Sequence, residues 1–90
     1  MTTVYQFWSP TCGPCKAIKP ALAVMREDYM EDNPEIRWEL INTREDPREL
    51  SRKYGVQFVP SIVIDNGTKA TKYTGSDIGQ IKTFLKNGLN

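Results

Sequence analysis

Two β-prone runs, Val4–Trp8 and Ile36–Asn42, flank a segment in which Ile18, Leu22, Met25 and Tyr29 fall at spacings of four, three and four. That spacing puts the four residues on one face of a helix. A strand, a helix and a strand in this order can join one sheet only if the strands run parallel, because the helix carries the chain back to its starting end. Later, Asn66-Gly67 separates two further β-prone runs, Val59–Ile64 and Lys69–Thr74, and such a dipeptide signals a hairpin with antiparallel strands. Both constraints are met by a four-stranded mixed sheet with helices on both faces, an α/β fold of order β-α-β-α-β-β-α.

The remaining elements follow from local chemistry. Gly13 and Pro14 suit the start of the long helix, where a proline gives up an N–H that has no partner anyway. Pro20 removes the bond to the Lys16 carbonyl and predicts a kink after the first turn. Asp32-Asn33-Pro34 ends the helix. A short helix is expected over Pro47–Tyr54, with Asp46 as N-cap, Pro47 at the first helical position and Gly55 as terminator. Gly75-Ser76-Asp77 opens the last helix, where Asp77 and Gln80 form a capping-box-like pair; Ile78, Ile81 and Leu85 supply its buried stripe, and Gly88 stops it. Without repeats or linkers, residues 1–90 read as a single domain.

The chain has two cysteines, Cys12 and Cys15, and they lie between the first strand and the long helix. A thiol at the first turn of a helix meets unpaired backbone N–H groups and the positive end of the macrodipole, and both favour thiolate. Cys12 is therefore the candidate nucleophile, with its sulfur expected at the surface. Cys15, one turn farther in, is the candidate resolving thiol. A structural staple is the duller alternative, but a bridge enclosing two residues constrains the unfolded chain little. Zinc needs a second pair of Cys or His ligands, and the chain has no His and no further Cys, which leaves only a site shared between two chains.

Composition narrows the partners. Twelve basic and eleven acidic residues leave a net charge of +1, which argues against electrostatic binding to nucleic acid or anionic membrane. No signal pattern opens the sequence and no apolar run is long enough to span a bilayer, so the expected location is cytoplasmic.

Phe7-Trp8 followed by Cys12-Gly13-Pro14-Cys15-Lys16, Pro20 in the helix, Lys53-Tyr54-Gly55-Val56 before Val59-Pro60-Ser61, and Asn66-Gly67, Gly75 and Gly79–Leu85 together resemble the thioredoxin family over nearly the whole chain. The resemblance implies a thioredoxin-like fold lacking the extra N-terminal strand and helix of full-length members. It also implies a protein-disulfide reductase with no bound cofactor, whose redox-active disulfide is recycled by a thioredoxin reductase, an equivalent reductant or glutathione. Disulfide-containing proteins would be the substrates of what is expected to be a monomer. Trp8, Gly13, Pro14, Lys16 and Pro60 would support the active site. A cis Val59–Pro60 bond would face the cysteines, and Val59, Pro60 and Gly75 would contact an extended substrate segment. Lys16 and Lys19 are placed to hold the Cys12 thiolate or steer acidic partners, or are ordinary solvated residues. Trp38, in an alternating strand, reads as core.

Three positions depart from the family pattern. Thr11 replaces the tryptophan that usually precedes the first cysteine. Gln6 replaces a buried acidic residue, and about Leu40 the family carries the lysine that accompanies it. Losing both partners together is coherent, since an unpaired buried charge costs about 3 to 5 kcal/mol. An amide cannot relay a proton, so water or a surface carboxylate is expected to serve Cys15. Two other functions remain open: a glutaredoxin-type, glutathione-using enzyme, against which the Gly-Pro spacer stands, and a thioredoxin-fold binding subunit whose dithiol is incidental.

Overall fold

The computed structural model describes residues 1–89 and follows the expected order of elements. Strand β1 (Thr3–Trp8) leads through the cysteine loop into α1 (Gly13–Asp32) and then β2 (Arg37–Asn42). Helix α2 (Leu50–Lys53) precedes the hairpin of β3 (Ser61–Asp65) and β4 (Ala70–Thr74), and α3 (Ile78–Leu89) closes the described chain. The sheet order is β2-β1-β3-β4, with β1 parallel to β2 and antiparallel to β3, and β3 antiparallel to β4. The expected mixed four-stranded sheet is therefore the observed one.

The alternation of β1, β2 and β3 sends their apolar residues into two cores, one on each face. On one face Val4, Trp38, Ile62 and Ile64 pack against Ile18, Leu22 and Met25 of α1 and Ile81 and Leu85 of α3. On the other, Phe7, Ile41 and Val63 pack against Leu50 of α2, with Tyr5, Tyr54 and Val59 beside them. Trp38 joins the first core, as its place in an alternating strand predicts. Helix α1 continues through Pro20 as one element.

Three local readings change, the simplest being that Gly88 lies inside α3 and does not stop it, since the helix runs on to Leu89. The short helix spans only Leu50–Lys53, and neither Asp46 nor Pro47 begins it. Glu49 N–H donates to the Asp46 carbonyl at 2.9 Å, closing a turn in which Pro47 holds the second position, a site that its fixed φ favours. The Asp46 carboxylate still serves the helix across that turn, accepting from the backbone N–H of Leu50 at 3.0 Å and Ser51 at 2.8 Å. Strand β3 likewise begins at Ser61 and not at Val59, because Pro60 has no N–H to offer a ladder. At the last helix, Asp77 caps as expected, its Oδ1 accepting from Gln80 N–H at 3.0 Å, while Gln80 Oε1 accepts from the Tyr73 hydroxyl.

Candidate active site

The apolar residues Val4 and Phe7 anchor β1 in both cores, so this central strand delivers its C-terminal end to a fixed point. Trp8 is held there: its carbonyl accepts from Thr43 N–H at 2.9 Å and from the Thr43 hydroxyl at 3.3 Å. The chain then turns over Ser9 and Pro10, with Cys12 N–H donating to the Ser9 carbonyl at 3.2 Å. Cys12 is the N-cap of α1 in extended conformation, and Gly13 and Pro14 begin the helix.

Cys12 and Cys15 are joined as a disulfide. The Cys12 sulfur lies 3.0 Å from the backbone N–H of Cys15 and accepts from it. One of the orphan donors of the helix N-terminus is thus aimed at this sulfur, which is the electrostatic setting that stabilises a thiolate. The sulfur is less open than the sequence suggests, since Cys12 is 8 % and Cys15 7 % exposed. Its capping bond turns it toward the helix, and the loop before β3 covers it, with the Val59 carbonyl 3.7 Å away. Gly13 and Pro14, between the cysteines, are exposed. A Cβ added at Gly13 would meet nothing within 4 Å, so a partner has a clear approach over the spacer.

The Val59–Pro60 peptide bond is cis, as the resemblance implies, and Val59 lies beside Cys12. Pro60 itself is buried. Its carbonyl accepts from Gly75 N–H at 3.0 Å, so Gly75 is tied to this loop. Gly75 has φ +145°, a conformation that side chains disfavour. Lys16 and Lys19 are exposed on α1. Behind the dithiol, Cys15, Lys16, Lys19, Trp8, Gln6 and Leu40 line a common cleft. The structure thus brings together Trp8, Gly13, Pro14, Lys16, Val59, Pro60 and Gly75 around or beside the cysteine pair.

Thr11, Ser61 and Phe58 also belong to this region, through contacts and exposure that the sequence does not show. Thr11, where an aromatic shield is usual, accepts from the Arg44 guanidinium at 3.0 Å through its hydroxyl. Buried Ser61 donates to the Phe58 carbonyl at 2.6 Å and shares a 2.8 Å hydrogen bond with the Thr74 hydroxyl, fastening the proline loop to β4. Phe58, next to Val59, is 70 % exposed. Arg44 and Thr74 stand 33 and 13 residues from their partners, a separation over which spacing carries no signal. The Ser after Pro60 and the aromatic before Val59 are visible in the sequence, but their exposure and bonding are not.

Among the described residues no helix is long and apolar enough to cross a membrane, and no group of three His, Cys, Asp or Glu side chains is placed to hold a metal ion. The redox group is the cysteine pair itself.

The family model described as Thioredoxin matches residues 1–87. Thioredoxin of Pyropia yezoensis is 30 % identical over 91 residues, covering 100 % of this chain and 78 % of that protein. Thioredoxin of Porphyra purpurea is 29 % identical over 91 residues with the same coverage of each. Oxidised mitochondrial thioredoxin 3 of Saccharomyces cerevisiae superposes with a TM-score of 0.79 at 23 % identity, covering 96 % of this chain and 77 % of that one. With its cysteines paired at the start of α1, the chain is a thiol-disulfide oxidoreductase working through Cys12 and Cys15, and it belongs to the thioredoxin family.

Proposed function

We propose that the protein reduces disulfides in other proteins, with Cys12 attacking and Cys15 resolving. The observation that carries the assignment is the 3.0 Å approach of Cys15 N–H to the Cys12 sulfur: of the two sulfurs, Cys12 is the one held by the helix N-terminus. In the reduced protein the Cys12 thiolate attacks one sulfur of a substrate disulfide, forming a mixed disulfide and releasing the other sulfur as a thiolate that takes up a proton. Cys15 then gives up its proton and attacks the Cys12 sulfur. The second substrate sulfur leaves as a thiol, and the Cys12–Cys15 disulfide remains, so two electrons pass from the protein to the substrate.

The exposed Gly13–Pro14 spacer, the Phe58–Val59 segment and the proline loop supply a surface on which an extended substrate segment can lie against the dithiol. A thioredoxin reductase is the proposed reductant, a reducing cytoplasm the proposed compartment, and a monomer the proposed working form. Cys15→Ser should trap a covalent complex through Cys12, and Cys12→Ser should abolish turnover; normal turnover in either variant ends the proposal. Recycling by NADPH with thioredoxin reductase, compared with recycling by glutathione, tests the reductant.

A further inference from the structure

Behind Cys15, between α1 and the β1–β2 edge of the sheet, lies a partly open cleft of about 210 Å³. Its wall is apolar where Trp8, Ile18, Leu22 and Leu40 meet, and Leu40 is left 47 % exposed at its side. Three cations, Lys16, Lys19 and Arg26, also line it, and no acidic residue does. None of the three forms an ion pair among the described residues. Positions 19, 23 and 26 fall on one stripe of α1, so Ala23 is the short side chain between two cationic ones and leaves room beneath them. From the sheet, Gln6 joins the lining. Its Oε1 is already occupied by the Trp38 indole, which leaves the amide N–H groups as its free polar function.

We propose that this cleft is a binding site for a small aromatic carboxylate. A cavity of about 150 Å³ holds benzene, so the present volume takes one ring together with a short acidic arm. Trp8 and Arg26 both line the cleft, an indole and a planar cation of the kind that suit an aromatic body. The carboxylate finds cations and an amide donor with no competing acid. A purely apolar occupant would leave those cations unused, and a simple inorganic anion would leave the apolar wall wet. Cys15 shares the lining, so an occupant lies beside the residue that the reductase reading assigns to resolution. Binding to the oxidised protein tests the site without relying on that reading.

The probe is 3-phenylpropionate, titrated into the oxidised protein and followed by the NMR signals of the Gln6 side-chain amide and the Trp8 indole. Saturable shifts at both with a Kd on the order of 1 mM or tighter are expected. Lys19→Gln combined with Arg26→Gln, the first exposed and the second half-buried on α1, should weaken binding by about tenfold, and Ala23→Phe should abolish it by filling the space. The neutral 3-phenylpropanol should bind at least about tenfold more weakly. The proposal is overturned if the alcohol binds as well as the acid, if the charge-removing double variant binds unchanged, or if neither signal moves by about 10 mM ligand. Should Ala23→Phe fail to fold, the double variant and the alcohol decide alone.

Discussion

The Trp38 indole N–H donates to Gln6 Oε1 at 3.0 Å, joining two residues on one face of the parallel β1–β2 pair. Gln6 stands where the family usually carries a buried acid, and its register partner Leu40 stands at about the position of the accompanying lysine. The amide therefore serves a buried indole and leaves no ionisable group at this point behind Cys15. Replacing a charge pair by an amide and an apolar side chain removes two desolvation costs at once.

Gln6→Leu should leave the Trp38 N–H without an acceptor and cost about 1 to 3 kcal/mol of stability. Urea denaturation checks it. An unchanged midpoint would show that water reaches the indole and replaces the lost bond.

Gln6→Asp places a carboxylate in the half-buried cleft behind Cys15, where burial against Trp8, Ile18, Leu22 and Leu40 raises its pKa while Lys16, Lys19 and Arg26 of the same lining lower it. The variant's turnover should depend more sharply on pH near neutrality than the parent's. A rate profile identical to the parent's counts against a proton route that bypasses residue 6.

Ser61→Ala should release the proline loop from both the Phe58 carbonyl and Thr74. The expected cost is about 1 to 3 kcal/mol, with a larger loss in reduction of a protein disulfide than in reaction of Cys12 with a small alkylating reagent. Equal losses in the two assays would mean that the loop does not position the substrate.

Gly75→Ala should also destabilise, by about 1 to 3 kcal/mol, because φ is +145° and a Cβ would approach the Tyr73 hydroxyl to 2.7 Å. Thermal unfolding measures this effect. A variant as stable as the parent would mean that the backbone relaxes out of the left-handed region.

Asp65 gives an acid-side prediction. The Tyr54 hydroxyl donates to its Oδ2 and Gly67 N–H donates to its Oδ1, and these bonds hold its carboxyl below the usual range. Burial, with the bond to Asp65 second, pushes the Tyr54 phenol up. The folded-state pKa of Asp65 is the lower one, so its contribution is complete above the unfolded value of about 3.9 and is lost as pH falls through the folded value. The stability gap between the parent and Asp65→Asn should hold steady above about pH 5 and narrow below pH 4. A gap independent of pH would place the effect in packing alone.

Much of the fold was legible because periodicity and local capping act over a few residues. The helical stripe Ile18, Leu22, Met25 and Tyr29 demanded the parallel β1–β2 crossover, and Asn66-Gly67 demanded the hairpin. The turn does form there, with Asn66 Oδ1 accepting from Thr68 N–H and Lys69 N–H. The Asp46–Glu49 turn was misread because aspartate followed by proline opens a helix and a turn equally well. Which one forms depends on where the next buried side chain, Leu50, must land in the core.

The order of residues alone determined that a strand would feed two cysteines into the start of a helix, because capping, helical phase and cysteine spacing are properties of neighbours in the chain. It also fixed the absence of a carboxylate at residue 6. Tertiary structure decided that Val59 would cover Cys12, that Arg44 would reach Thr11, that Ser61 would fasten the proline loop, and that three cations would ring an apolar cleft behind Cys15. Those contacts join residues brought together only when the two faces of the sheet bury their apolar side chains, and a linear pattern carries no record of which distant neighbours that packing selects.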